Sequence, residues 1–173
     1  RLPRSLGVVI ALSVLDLAVV RDGGSSGEAL SETAALAQAA ERLGMTRFWV
    51  AEHHNMATVA STTPGVLIAH LAAVTQRIRV GSGGVMLPNH APLAIAEQFA
   101  LLEALHPGRI DLGIGRAPGT DPMTAAAFGR HPHESVERFP RDVIEVMGLL
   151  GDRRGEGGMW DRFRATPAPT GTP

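Results

Sequence analysis

The sequence contains no cysteine. Disulfide cross-links, thiolate catalysis and cysteine-ligated metal are thereby excluded. It has no apolar run approaching the ~18 residues that a membrane-spanning helix needs. It has no excess of either charge: 16 basic residues stand against 17 acidic ones, for a formal net charge of -1. That balance gives neither nucleic acid nor an anionic membrane surface an electrostatic reason to bind. The HExxH spacing of a helical zinc site and the GxGxxG spacing of a dinucleotide-binding turn are also missing. A metal-dependent hydrolase is therefore a weaker reading than an organic active site.

What is present is ordinary globular material. The 173 residues are 45% hydrophobic and 19% charged, enough for one domain with a real core. The start, Arg1-Leu2-Pro3-Arg4 followed by apolar residues 6–12, is faintly like a signal peptide. No small-residue cleavage site separates it from the strand-like run at 13–17, so the expectation is a cytoplasmic protein.

Apolar runs and helical periodicities alternate along the chain. Residues 12–17, 46–51, 78–81 and 109–115 read as strands. Between them, Ser25-Ser26-Gly27-Glu28 fits a capping box ahead of a helix that Gly44 stops. Thr63-Pro64 opens a second, nearly all-apolar helix expected to be well buried, and a third spans 92–105. A fourth covers 134–150 and is flawed by Pro140. Helix-to-strand links are short and strand-to-helix links are long. This is an α/β pattern with a parallel sheet, in which function gathers at the carboxyl ends of the strands. Residues 1–150 form this unit. Residues 151–173, rich in Gly, Pro and Arg without periodicity, are expected to be an unordered tail.

The chemistry follows the strands. Arg47-Phe48-Trp49-Val50-Ala51 runs into Glu52-His53-His54-Asn55. If both are extended, His53 and His54 should point to opposite faces, which weakens a metal reading. Beside the alternatives of a metal pair or plain loop histidines, one histidine serves as an acid/base or hydrogen-bond donor near neutral pH. Ser82-Gly83-Gly84 follows the third strand and Asn89-His90 comes soon after. Paired glycines make either a plain turn or a close backbone approach to a flat ligand, and His90 could be a helix-cap residue only. Gly113-Ile114-Gly115-Arg116-Ala117-Pro118-Gly119 has GxGxxxG spacing with Pro118 where a helix should begin, which argues against a dinucleotide fingerprint. Arg116 is placed either to bind an anionic or electron-rich part of a ligand or to lie solvated in the loop.

These segments together, with Arg79-Val80-Gly81-Ser82-Gly83-Gly84-Val85-Met86-Leu87-Pro88, Ala96-Glu97-Gln98-Phe99 and Leu105-His106-Pro107-Gly108-Arg109-Ile110-Asp111, resemble the bacterial-luciferase-like flavin monooxygenases. The resemblance implies a (β/α)8 barrel of which about the first four β-α units are present, since such barrels need ~250 residues. It implies an FMN-dependent monooxygenase that uses reduced FMN and O2 on a small organic substrate, the FMN being reduced at the expense of NAD(P)H. A flavin reductase and self-association are compatible with it, and a deazaflavin-dependent reductase is a less favoured variant. Carried over residue by residue, Glu52 and His53 match the acid and the catalytic histidine. Gly83 and Gly84 match the small pair whose peptide lies against the flavin, often as a cis bond. Arg116 matches an arginine near the flavin. Asn89, which comes after the carboxyl end of the third strand, is expected on the same rim as part of the cofactor site. No metal is implied. Val19 departs from the pattern, where relatives commonly have Pro. The alternative is a non-catalytic, incomplete half-barrel that only self-associates. Half a barrel bares strand edges and inner sheet faces, and ~400 Å² of uncovered apolar surface forfeits roughly 10 kcal/mol at ~25 cal/mol per Å².

Overall fold

A computed structural model of the chain describes residues 10–117, 119–129, 132–152 and 164–168. In order, the elements are β1 (Ser13–Asp16), α1 (Ser26–Arg42), β2 (Arg47–Val50), α2 (Pro64–Val74), β3 (Arg79–Ser82), β4 (Val85–Met86), α3 (Pro92–Leu105), β5 (Ile110–Asp111), β6 (Ile114–Gly115), α4 (Pro122–Ala127) and α5 (Pro132–Leu149). Strands β1, β2, β3 and β5 form one parallel sheet in that order, as the alternation implied.

The register explains which face packs. Val14, Phe48, Val80 and Ile110 lie in one row across the sheet, and the last three are completely buried. Ile68 and Leu71 of α2 and Ile95, Ala96 and Phe99 of α3 join them in one core. The opposite row is Leu15, Trp49, Gly81 and Asp111. Leu15 is 54% exposed there. Among the described residues, helices therefore cover one face, and the other carries side chains that meet no helix.

Local chemistry sets the element ends. The capping box of α1 is closed: Ser25 N–H donates to Glu28 Oε2 at 2.7 Å, and Glu28 N–H donates to Ser25 Oγ at 3.2 Å. The Ser25 backbone and side-chain hydrogen bonds hold the Glu28 carboxyl below its usual range. At the end of α1, Glu41 Oε1 accepts from the backbone N–H groups of Gln76, Arg77 and Ile78 at 2.9, 2.5 and 3.0 Å. One carboxylate thus satisfies the turn that leads into β3. From the start of β5, Arg109 donates to Ala72 O, Thr75 O and Thr75 Oγ1, closing the carbonyl end of α2.

Four expectations are corrected. The fourth strand is not continuous over 109–115. Ser82 Oγ donates to Gly113 O at 2.8 Å and accepts from Gly113 N at 3.1 Å, so a side chain replaces a ladder rung. Gly113 has no room for a Cβ, because the Ser82 carbonyl oxygen occupies that space. The chain steps over, and β6 pairs instead with β4. Second, α2 is buried on one side only, with Val66 70% exposed, because it lies in the outermost layer. Third, α5 runs unbroken through Pro140. Its apolar face, with Phe139, Val143, Val146 and Leu149 at helical spacing in the core, outweighs the ~3 kcal/mol cost of an interior proline. Fourth, the long connection before α5 contains the short helix α4. Asp121 caps it by accepting from Met123 N and Thr124 N, and these bonds, led by the one from the Thr124 hydroxyl, hold its carboxyl down to about 2.

The expectation of an unordered tail falls mostly outside the described residues. Within it, Ala165 is buried in the core, and its N–H meets Leu149 O at 3.4 Å. Among the described residues, no helix is long and apolar enough to cross a membrane.

A pair of substitutions tests the one-sided packing. Phe48→Ala should cost ~3–5 kcal/mol of stability, whereas Leu15→Ala on the open face should stay within ~0.5 kcal/mol. Chemical denaturation of both variants measures this. Equal losses would mean that the two faces are packed alike.

Candidate active site

The β2 strand ends by delivering a carboxylate into the protein. Glu52 is 0% exposed. Its Oε1 accepts from His54 Nε2 at 2.8 Å and from His90 Nε2 at 2.7 Å, and its Oε2 accepts from the Met86 backbone N–H at 2.9 Å. Burial pushes the Glu52 carboxyl up. The hydrogen bonds from His90 and His54, the charge His90 can carry and the Met86 N–H outweigh burial and hold it below the usual carboxylate range. An ionised carboxylate only accepts, so each imidazole carries its proton on Nε2 here. Both nitrogens touch the same oxygen directly, and among the described residues no group of three or more His, Asp or Glu is placed to hold a metal ion.

His53 is not among the hydrogen-bond partners of this carboxylate. Its backbone N–H donates to Ser61 O at 3.0 Å. Its Nδ1 is buried with no hydrogen-bond partner. A buried polar atom without a partner is uncommon and calls for an explanation. His54 is tied to the connection after β6: its N–H donates to Gly119 O at 3.3 Å, its carbonyl accepts from Thr120 Oγ1 at 3.2 Å, and its ring stands edge-on to Phe128 at 4.7 Å.

The Gly83–Gly84 peptide is cis. Gly83 N–H donates to Val50 O, and Val85 N–H donates to Gly113 O, both at 2.8 Å. A Cβ on Gly83 would stand 2.9 Å from Leu15 Cδ1 and 3.1 Å from Trp49 Cε3. A Cβ on Gly84 would stand 2.9 Å from Gly115 N and 3.0 Å from Gly113 O. Bare backbone therefore sits between the inner-face side chains of β1 and β2 and the backbone of β6, with no room for side chains. Trp49 is held in place from below, since its Nε1–H donates to Asp111 Oδ2 at 3.0 Å. The same carboxylate accepts from Arg47 Nε at 3.1 Å and from Arg79 Nε at 2.9 Å.

The candidate residues occupy these places as follows. Glu52 and the segment from Gly83 to Met86 are in direct contact through the Met86 N–H. Gly84 packs on Gly115, whose next residue is Arg116, an exposed side chain. Asn89 is buried in the short 3-10 turn Leu87–Asn89. The sequence reading missed the pairing of His54 and His90 with Glu52, and also the support of Trp49 by Asp111. His54 had a signal, because residues two apart on an extended chain share a side. His90 had none, because it reaches Glu52 across 38 positions of sequence.

The match to known proteins is extensive. The family model described as "Luciferase-like monooxygenase" covers residues 10–173. A protein named "Luciferase-like monooxygenase" from Escherichia coli (strain K12) is 55% identical over 144 residues, which is 83% of this chain and 43% of that protein. The crystal structure of apo-MsnO8 superposes with a TM-score of 0.85 at 40% identity, covering 95% of this chain and 48% of that one. More distantly, at 21% identity and a TM-score of 0.71, the fold matches the oxygenating constituent of 3,6-diketocamphane monooxygenase from Pseudomonas putida, a structure in complex with FMN, over 81% of this chain and 39% of that one. The chain spans less than half the length of these relatives. The chain belongs to the luciferase-like monooxygenase family, with four β-α units of its (β/α)8 barrel type on view.

Proposed function

We propose that the protein containing this chain is a flavin-dependent monooxygenase that uses reduced FMN and O2 on a small organic substrate. The observation that carries this reading is the buried, unpartnered Nδ1 of His53 at the carboxyl end of β2. It fits a site that awaits a polar atom from a bound group. The bare Gly83–Gly84 backbone, supported by Trp49, fits a flat ring. FMN is the group found in the Pseudomonas putida structure. When bound, reduced FMN supplies the electrons that activate oxygen.

The chain's own residues divide the remaining work. His53 accepts or returns a proton at Nδ1. Gly83 and Gly84 hold backbone against the ring and leave no side chain in its way. Arg116, exposed just after β6, offers a fixed positive charge to an anionic or electron-rich part of the ligand. Asn89 contributes an amide that can donate and accept. The usual phosphate site of such barrels lies after strands seven and eight, which this stretch of sequence does not reach. A source of reduced flavin, namely an NAD(P)H-dependent reductase, follows from this reading, as does a cytoplasmic location where NAD(P)H is available. A deazaflavin in place of FMN would make the reaction a hydride transfer without oxygen uptake.

Two measurements test the reading. At its native length, the purified protein should bind FMN. With a flavin reductase and NADH, it should consume oxygen in proportion to an added organic substrate. Substrate turnover with a reduced deazaflavin and no oxygen uptake would replace FMN in this account. His53→Ala should lower turnover ~10²–10⁴-fold if the imidazole is the acid/base, while FMN binding measured by equilibrium dialysis is largely kept. Unchanged turnover would remove His53 from the chemistry.

A further inference from the structure

Three donors from two segments end on one carboxylate. Residues 52–54 follow β2, Met86 lies in β4 beyond β3, and His90 leads into α3. Each contributes a donor to Glu52. His54 extends the connection to a third segment, since it holds Gly119 and Thr120 by backbone and side-chain hydrogen bonds and packs on Phe128 at the end of α4. Glu52 itself meets no solvent, and both its oxygens are taken. It has no surface left with which to touch a cofactor or substrate.

We infer that Glu52 is a positioning residue, a buried anionic clamp through which His54 and His90 order the loops after β2, β3 and β6 as one unit. The consequence for the cofactor rests on the function proposed above. The clamp itself does not. Its charge is what makes it a clamp. Three N–H donors from two segments converge on one anion, and each charge-assisted bond is stronger than a neutral one. Removing the acceptor leaves two imidazole N–H groups and a backbone N–H without a partner in a partly buried place. The segments then have no reason to stay together, and their order should fall jointly and not one loop at a time. The clamp also fixes the free face of each histidine. With Nε2–H on Glu52, His54 and His90 leave Nδ1 unprotonated in their neutral forms.

Hydrogen exchange read by mass spectrometry, together with ¹⁵N shifts of the labelled imidazoles, tests this without any cofactor. In the unsubstituted protein, His54 and His90 should both show the Nε2–H tautomer. Glu52→Gln keeps the side-chain volume but removes the charge, and with its oxygen left to the two imidazoles its amide N–H faces the Met86 N–H donor. It should raise amide exchange at 84–90 and at 119–124 together by ~10-fold or more, the effect of one unsatisfied buried group, while 79–82 stays protected. His90→Leu should do the same, and His90→Gln, whose amide can still donate to Glu52, should restore most of the protection. Faster exchange confined to 84–90, or Nδ1–H tautomers in the unsubstituted protein, would overturn the clamp. Should Glu52→Gln lose protection throughout, the comparison of His90→Leu with His90→Gln decides in the same terms. Absence of FMN binding by the unsubstituted protein would instead count against the proposed function and leave these readouts as they are.

Discussion

The structure depends on a parallel sheet that is covered on one face only. The completely buried row of Phe48, Val80 and Ile110 lies under α2 and α3. Parallel strands require helical crossovers, and here these lie on one side. All strands then point their carboxyl ends at a single rim, and every long connection starts there. The opposite face holds a polar layer in place of a second helix layer. Asp111, with 15% of its side chain exposed, bridges Arg47 and Arg79 across three strands and also accepts from Trp49. Two guanidinium groups on one carboxylate leave a net positive charge in the middle of this face.

That arrangement separates the support of the site from its working parts. Below the Gly83–Gly84 peptide, Trp49 is fixed by Asp111, so the platform rests on an indole that cannot turn without breaking a hydrogen bond. Behind the peptide, the Glu52 carboxylate draws His54, Met86 and His90 together. Next to Glu52 in sequence, His53 has a buried Nδ1 without a hydrogen-bond partner. The polar groups that support the site are satisfied within the protein, and His53 keeps an unsatisfied atom. This is the contrast expected between residues that position and a residue that reacts.

Much of this was legible in the sequence because it is local. Ser25 with Glu28 announced α1, Thr63-Pro64 announced α2, and apolar runs ending in Glu52 or in Gly83-Gly84 announced strands with chemistry at their ends. The cis peptide at Gly83–Gly84 was implied by the family resemblance and is present. What escaped depends on contacts distant in sequence. The break between β5 and β6 comes from Ser82 bonding to Gly113, which no pattern within 109–115 reveals. The helix over 134–150 was legible in spite of Pro140; what the sequence alone does not weigh is the tertiary gain from Phe139, Val143 and Val146 reaching the core, which keeps it unbroken. The partners of Glu52 escaped for the same reason. The resemblance implied Glu52 only as an acid beside the catalytic His53, whereas its hydrogen bonds go to His54 and to a histidine from beyond β4.

The account stands most directly on where the ring of a bound flavin lies. A crystal structure of the native-length protein with FMN would show it. The account predicts the ring against the Gly83–Gly84 backbone above Trp49, with one of its polar atoms within hydrogen-bonding distance of His53 Nδ1. A ring bound elsewhere, or His53 Nδ1 paired to a protein group while the flavin is bound, would contradict it.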